Sequence, residues 1–136
     1  MSVQARAVAV AGLWALCGTI GAAAAAEPVK LTCAPSSLYQ CEAMFECLRV
    51  PSEAINFPDF FIADLANKTI TGRRPDGTDL KTTIERQTRD GNALVLQGIE
   101  AGRGWSMSLD APSGKLSFSV AGPAIGFVGL GACLIE

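Results

Sequence analysis

Residues 105–120 read Trp105-Ser106-Met107-Ser108-Leu109-Asp110-Ala111-Pro112-Ser113-Gly114-Lys115-Leu116-Ser117-Phe118-Ser119-Val120. Apolar side chains take every second position on both sides of the Asp-Ala-Pro-Ser-Gly break, with serines between them. Successive side chains of a strand point to opposite faces, so this period gives each of two strands one apolar and one hydroxylated face. Within the break, Pro112 presets φ and Gly114 tolerates positive φ, which is turn chemistry. The stretch predicts an antiparallel hairpin whose serine rows form a solvated face rather than a catalytic one.

The same theme extends in both directions. Short apolar runs predict strands near 59–64, 69–74, 80–88, 93–99, 104–109, 115–121 and 124–134. Gly, Pro, Asn or Asp punctuates the gaps, as at Pro75-Asp76-Gly77, Asp90-Gly91-Asn92 and Gly122-Pro123. Strands at this spacing predict an all-β chain, a small antiparallel β-meander or barrel. The run Gly126-Phe127-Val128-Gly129-Leu130-Gly131 lacks the Lys-Ser/Thr of a phosphate-binding loop. Its glycines predict close packing at a bend or barrel seam.

The first 26 residues have a different character. A basic stretch ends at Arg6, residues 7–26 carry no charge, and Ala24-Ala25-Ala26 precedes Glu27-Pro28. This order predicts a signal peptide over 1–26, cleaved after Ala26, and a single domain over 27–136. The run is long enough to span about 30 Å of hydrocarbon, but it is mostly Ala and Gly, so stable membrane insertion is not expected. Cys17 lies mid-run, with no position fit for lipidation.

Cleavage would remove Arg6 from the 11 basic residues, leaving 10 against 13 acidic ones and a net charge of −3. Nothing here forms the basic element of a nucleic-acid binder. It would also remove Cys17 and leave Cys33, Cys41, Cys47 and Cys133. An even number of cysteines in an exported chain predicts disulfides, with three connectivities open. A zinc site is disfavoured, since the chain has no His and no C-x-x-C pair.

Residues 37–49 can be read two ways. As a helix, Ser37 and Gln40 form a capping box, and Leu38, Cys41, Phe45 and Leu48 share a stripe. As a hairpin, Tyr39, Cys41 and Ala43 alternate before a return strand that Pro51 stops. Six helical residues would separate Cys41 from Cys47 by about 9 Å of rise, too far to bridge. Opposite positions of a hairpin can pair. The hairpin is favoured, and with it Cys41–Cys47 plus Cys33–Cys133, the second bond tying the first strand to the last. A Cys41–Cys133 bond would instead belong to the helix.

The pattern C-x7-C-x5-C, then residues Phe60 to Asp64, the Asn67-Lys68-Thr69 turn and a final Gly131-Ala132-Cys133, resembles small secreted bacterial β proteins of unassigned function. That resemblance implies export and a β fold. Tyr39-Gln40-Cys41 together with a cysteine in the last strand is also similar to the periplasmic lysozyme inhibitors, which are small disulfide-linked β-barrels. Gly102-Arg103-Gly104-Trp105 stands nearest to where those inhibitors carry a Ser-Gly pair leading to an aromatic.

Absence of His removes Ser-His-Asp triads, Cys-His dyads and His-bound metals from consideration. No enzyme activity, cofactor or metal is expected. If every hairpin is antiparallel, turns alternate between the two ends of the sheet. One end then gathers Asp64, Asp90 and Asp110, best read as turn-initiating residues rather than a calcium site. The other gathers Arg73, Arg74, Asp76, Asp79, Glu100 and Arg103, and its arginines Arg73, Arg74 and Arg103 form a candidate rim for an anionic ligand or an envelope protein. The expectation is a periplasmic or secreted binding or inhibitor-like module; the alternative is a structural or stress accessory without a specific ligand.

Overall fold

A computed structural model describes residues 30–136. The expected signal peptide, residues 1–26, lies outside the described residues. The strands are β1 (Lys30–Glu42), β2 (Leu48–Val50), β3 (Phe61–Asp64), β4 (Thr69–Arg73), β5 (Asp79–Thr83), β6 (Arg86–Asp90), β7 (Ala93–Glu100), β8 (Arg103–Asp110), β9 (Lys115–Ala121) and β10 (Ile125–Ile135). A 3-10 turn over Ser52–Ile55 joins β2 to β3.

All pairings are antiparallel, in the order β5-β4-β3-β1-β10-β9-β8-β7-β6, with β2 added to β1. The result is an antiparallel half-barrel. Two meanders, β3 to β5 and β6 to β10, flank β1, which lies between β3 and β10, so the beginning and end of the described chain lie side by side.

The β1 strand carries a defect near its middle. Proline cannot donate to a ladder, and within a sheet it survives at edges or bulges. Pro35 lies mid-strand, opposite Gly131 of β10 and in the gap between the stretches that pair with β3 and β2, and the register against β10 shifts between Pro35 and Ser37. After the shift, Leu38 returns to the interior.

The expected strand 80–88 is two strands with a corner at Ile84-Glu85. The N–H of Ile84 donates to the Lys68 carbonyl at 2.8 Å, continuing along β4, whereas that of Glu85 donates to the Gln97 carbonyl at 2.9 Å, on β7. One run of chain thus leaves one edge of the sheet and joins the other, which curls the sheet. Across this seam the Trp105 Nε1–H donates to Thr82 Oγ1 at 3.1 Å.

Residues 37–49 form the hairpin: Leu38 pairs with Val50 and Gln40 with Leu48. Both expected disulfides are present, Cys33–Cys133 and Cys41–Cys47. Cys33 and Cys133 are direct cross-strand partners on β1 and β10, and both are buried. Two disulfides fit a non-cytoplasmic, oxidising setting. Among the described residues no helix is long and apolar enough to cross a membrane.

The inward faces follow the alternation. Leu94 and Leu96 of β7, Met107 and Leu109 of β8, and Leu116 and Phe118 of β9 are buried. Leu31, Leu65 and Ile84 join them near the end that carries the 65–68, 91–92 and 111–114 turns. Their side chains belong to one buried core cluster.

Candidate functional site

The opposite end is hollow. A cavity of about 200 Å³ opens there, with walls from Phe57, Ile70, Leu80, Trp105, Met107 and Phe118. Its walls are built by strand alternation and by one segment without such a pattern. The 3-10 turn ends at Asn56, in the left-handed region at φ 49°, and redirects the chain so that Phe57 and Pro58 fold inward. Phe57 stacks on Phe118 at 5.0 Å between ring centroids and meets Phe61 edge-on at 6.0 Å. Within the wall, Thr82 Oγ1 accepts from Trp105 and donates to the Ile99 carbonyl. The lining of the hollow is mainly apolar.

Charge enters at the mouth, through Arg74, Glu100 and Arg103. The β7–β8 turn places two of them. Ala101 and Gly102 both have positive φ, 49° and 75°, the requirement of a type I′ hairpin turn. Glu100 and Arg103 are consequently cross-strand partners at the lip. Arg74 reaches them from the end of β4: its Nη2 is 4.0 Å from Glu100 Oε1, and its Nη1 donates to the Asp79 carbonyl at 2.8 Å.

Arg103 is seated differently. Its guanidinium lies over the Phe127 ring, 5.8 Å from the centroid. Its stem passes Gly122 so closely that a Cβ there would stand 3.2 Å from Arg103 Cγ. Among the described residues it has no carboxylate within salt-bridge distance.

Strand parity thus brings Arg74 and Arg103 to one mouth, together with Glu100. It also brings Arg73 to the same end, but that side chain turns outward, donating to the Gly77 carbonyl and pairing with Asp79 at 3.4 Å. Adjacent residues of a strand face opposite sides, so Arg73 and Arg74 could not both face the cavity. Phe57, Asn56 and Phe127 were not expected at the site. Phe127 has a signal in hindsight, since it lies on the inward parity of β10 shared with Cys133. Asn56 and Phe57 have none of that kind, as their loop carries no period.

At the end opposite the cavity the carboxylates stabilise turns. Asp64 accepts from the Asn67 backbone N–H and from its side-chain amide, each at 2.9 Å, and Asp110 accepts from the Ser113 backbone at 3.1 Å and from its hydroxyl. The Asn67 hydrogen bonds, assisted by nearby Lys30, hold the Asp64 carboxyl below its ordinary pKa. Hydrogen bonds from Thr78, then from Asn56, do the same for Asp76 at the open end, and Arg74 adds to them. A carboxylate with a lowered folded-state pKa contributes stability that is fully present above the unfolded value and is lost as pH falls through the folded one. In thermal melts, the gap between the native protein and Asp64→Asn should therefore be open at pH 7 and narrow below about pH 4. A gap that does not change with pH would show that the charge of Asp64 does not support its turn.

The 41–47 hairpin is also at the open end, where the Ala43 N–H donates to the Ala124 carbonyl at 3.4 Å. Met44 at its tip is fully exposed and has φ 68°, and Phe45 beside it is 76% exposed. No family model matches the chain, and no curated protein or solved structure matches it either.

Proposed function

We propose that the protein is a non-enzymatic binding module of the cell envelope, periplasmic or secreted, which takes its ligand in the hollow end of the half-barrel. The observation that carries this reading is the cavity: a concave apolar space with a few charged groups at its lip is the usual form of a small-molecule site. A structural accessory without a ligand has no use for such a hollow, since an unfilled cavity costs stability. The lack of His and the engagement of Glu100 by Arg74 support a role without catalysis. The exposed Met44 and Phe45 support a second, inhibitor-like use of the same end toward a partner protein, in keeping with the resemblance to lysozyme inhibitors.

A titration with 1-octanol followed by NMR tests the first reading. Shifts should concentrate on wall residues such as Ile70, Leu80 and Met107, and Val120→Trp, which places a large ring in the hollow, should weaken binding at least about tenfold. Unchanged spectra in the native protein, or equal binding by a folded Val120→Trp variant, would remove the cavity as the site.

A further inference from the structure

The chemistry of the lip narrows the ligand. This inference rests on the binding reading above and adds the class of molecule bound. The rim as a whole is balanced, with Arg73, Arg74 and Arg103 against Asp76, Asp79 and Glu100, but its pairing is uneven. Arg73 is taken by Asp79 and Arg74 by Glu100. Asp76 is held by Asn56 and Thr78. That leaves Arg103, the one arginine of the three without a carboxylate partner among the described residues, resting on the Phe127 ring that forms part of the cavity wall.

A guanidinium in that place presents a planar fork of N–H donors, matched to a carboxylate. The side chain is exposed, with Phe127 beneath the guanidinium and Gly122 beside the stem, contacts that bias it toward this place and reduce the rotamer freedom lost on binding. Beneath it the apolar hollow takes no charge. At about 30 Å³ for each group of water size, 200 Å³ accommodates a chain of about six to eight carbons.

We infer that the ligand is an amphipathic monoanion, a medium-length apolar chain or comparable flat apolar body with a single carboxylate, bound tail-inward with its head group on Arg103. A free acid and an acyl chain esterified in a lipid share the tail, and only the free acid has the charged head. The inference is for the free acid.

Calorimetric titration with octanoate, methyl octanoate and octylamine, at low and physiological salt, separates the terms. Octanoate should bind about tenfold or more tightly than either of the others, as a hydrogen bond to a charged group contributes that factor. Its advantage should shrink with added salt. Hexanoate should bind about fifteenfold more weakly than octanoate, the effect of two buried methylenes. Arg103→Gln should reduce octanoate affinity to that of the ester, whereas Arg73→Gln should leave it unchanged because that side chain turns away from the mouth. Equal affinity for octanoate and its methyl ester, or full octanoate affinity in a folded Arg103→Gln variant, would overturn the assignment of the head group while the octanol result kept the cavity as a binding site. Failure of octanol and octanoate alike would overturn both.

Discussion

Replacing both members of the long-range disulfide, Cys33→Ala/Cys133→Ala, should lower the unfolding free energy by about 3–5 kcal/mol. The bond spans a sequence separation of 100, and on the chain-entropy account a loop of that length restricts the unfolded ensemble by about 4.7 kcal/mol. For a domain of this size such a loss corresponds to a fall in melting temperature of about 20 °C. The second bond closes a separation of only 6, for which the same relation gives about 2 kcal/mol. Cys41→Ala/Cys47→Ala should accordingly cost less and act mainly on the exposed hairpin. The two pairs also differ in place. Cys33 and Cys133 lie in the core between the first and last strands, so their loss removes packing as well as a crosslink. Urea unfolding of the two double variants decides the matter, and a larger loss from the short loop would contradict the argument from chain entropy.

How much of this was legible before the structure follows from where periodicity exists. The hairpin of β8 and β9 is written in Trp105, Met107 and Leu109 and in Leu116, Phe118 and Val120, because a half-buried sheet demands that alternation. The cysteine pairing was legible for a geometric reason: Cys41 and Cys47 can meet across a hairpin but not along a helix. Strand parity also put Arg74, Glu100 and Arg103 at one end. The corner at Ile84-Glu85 was not legible, since Ile84 continues the alternation of β5 and the change of partner from β4 to β7 is a long-range event. Nor was the wall formed by Phe57 and Pro58, which depends on a left-handed Asn56 in an aperiodic loop. The hollow itself is a matter of volume, and binary patterning does not report volume.

The last strand offers a graded test of how closely the half-barrel is drawn together. Gly131 faces Pro35 across the β1–β10 ladder. A Cβ at Gly131 would lie 2.2 Å from the Ala34 carbonyl oxygen and 2.9 Å from Pro35 Cα, both backbone atoms. Backbone at the β1 bulge cannot move aside as a side chain does, so Gly131→Ala should cost about 3 kcal/mol, the upper range for overpacking. At Gly129 the obstacle is a side chain, with Phe118 Cζ at 2.1 Å. That ring borders the cavity and can yield into it, so Gly129→Ala should cost less, about 1–2 kcal/mol, and should weaken octanol binding by narrowing the hollow. At Gly126 the nearest atom is 3.7 Å away. Gly126→Ala should be nearly neutral, or stabilising by about 0.5 kcal/mol through the reduced entropy of the unfolded chain. Chemical denaturation of the three variants should therefore rank them Gly131, Gly129, Gly126 in order of loss. Equal stability of Gly131→Ala and Gly126→Ala would mean that β1 can shift away from β10 at its bulge without cost, and that the seam is looser than its backbone contacts imply.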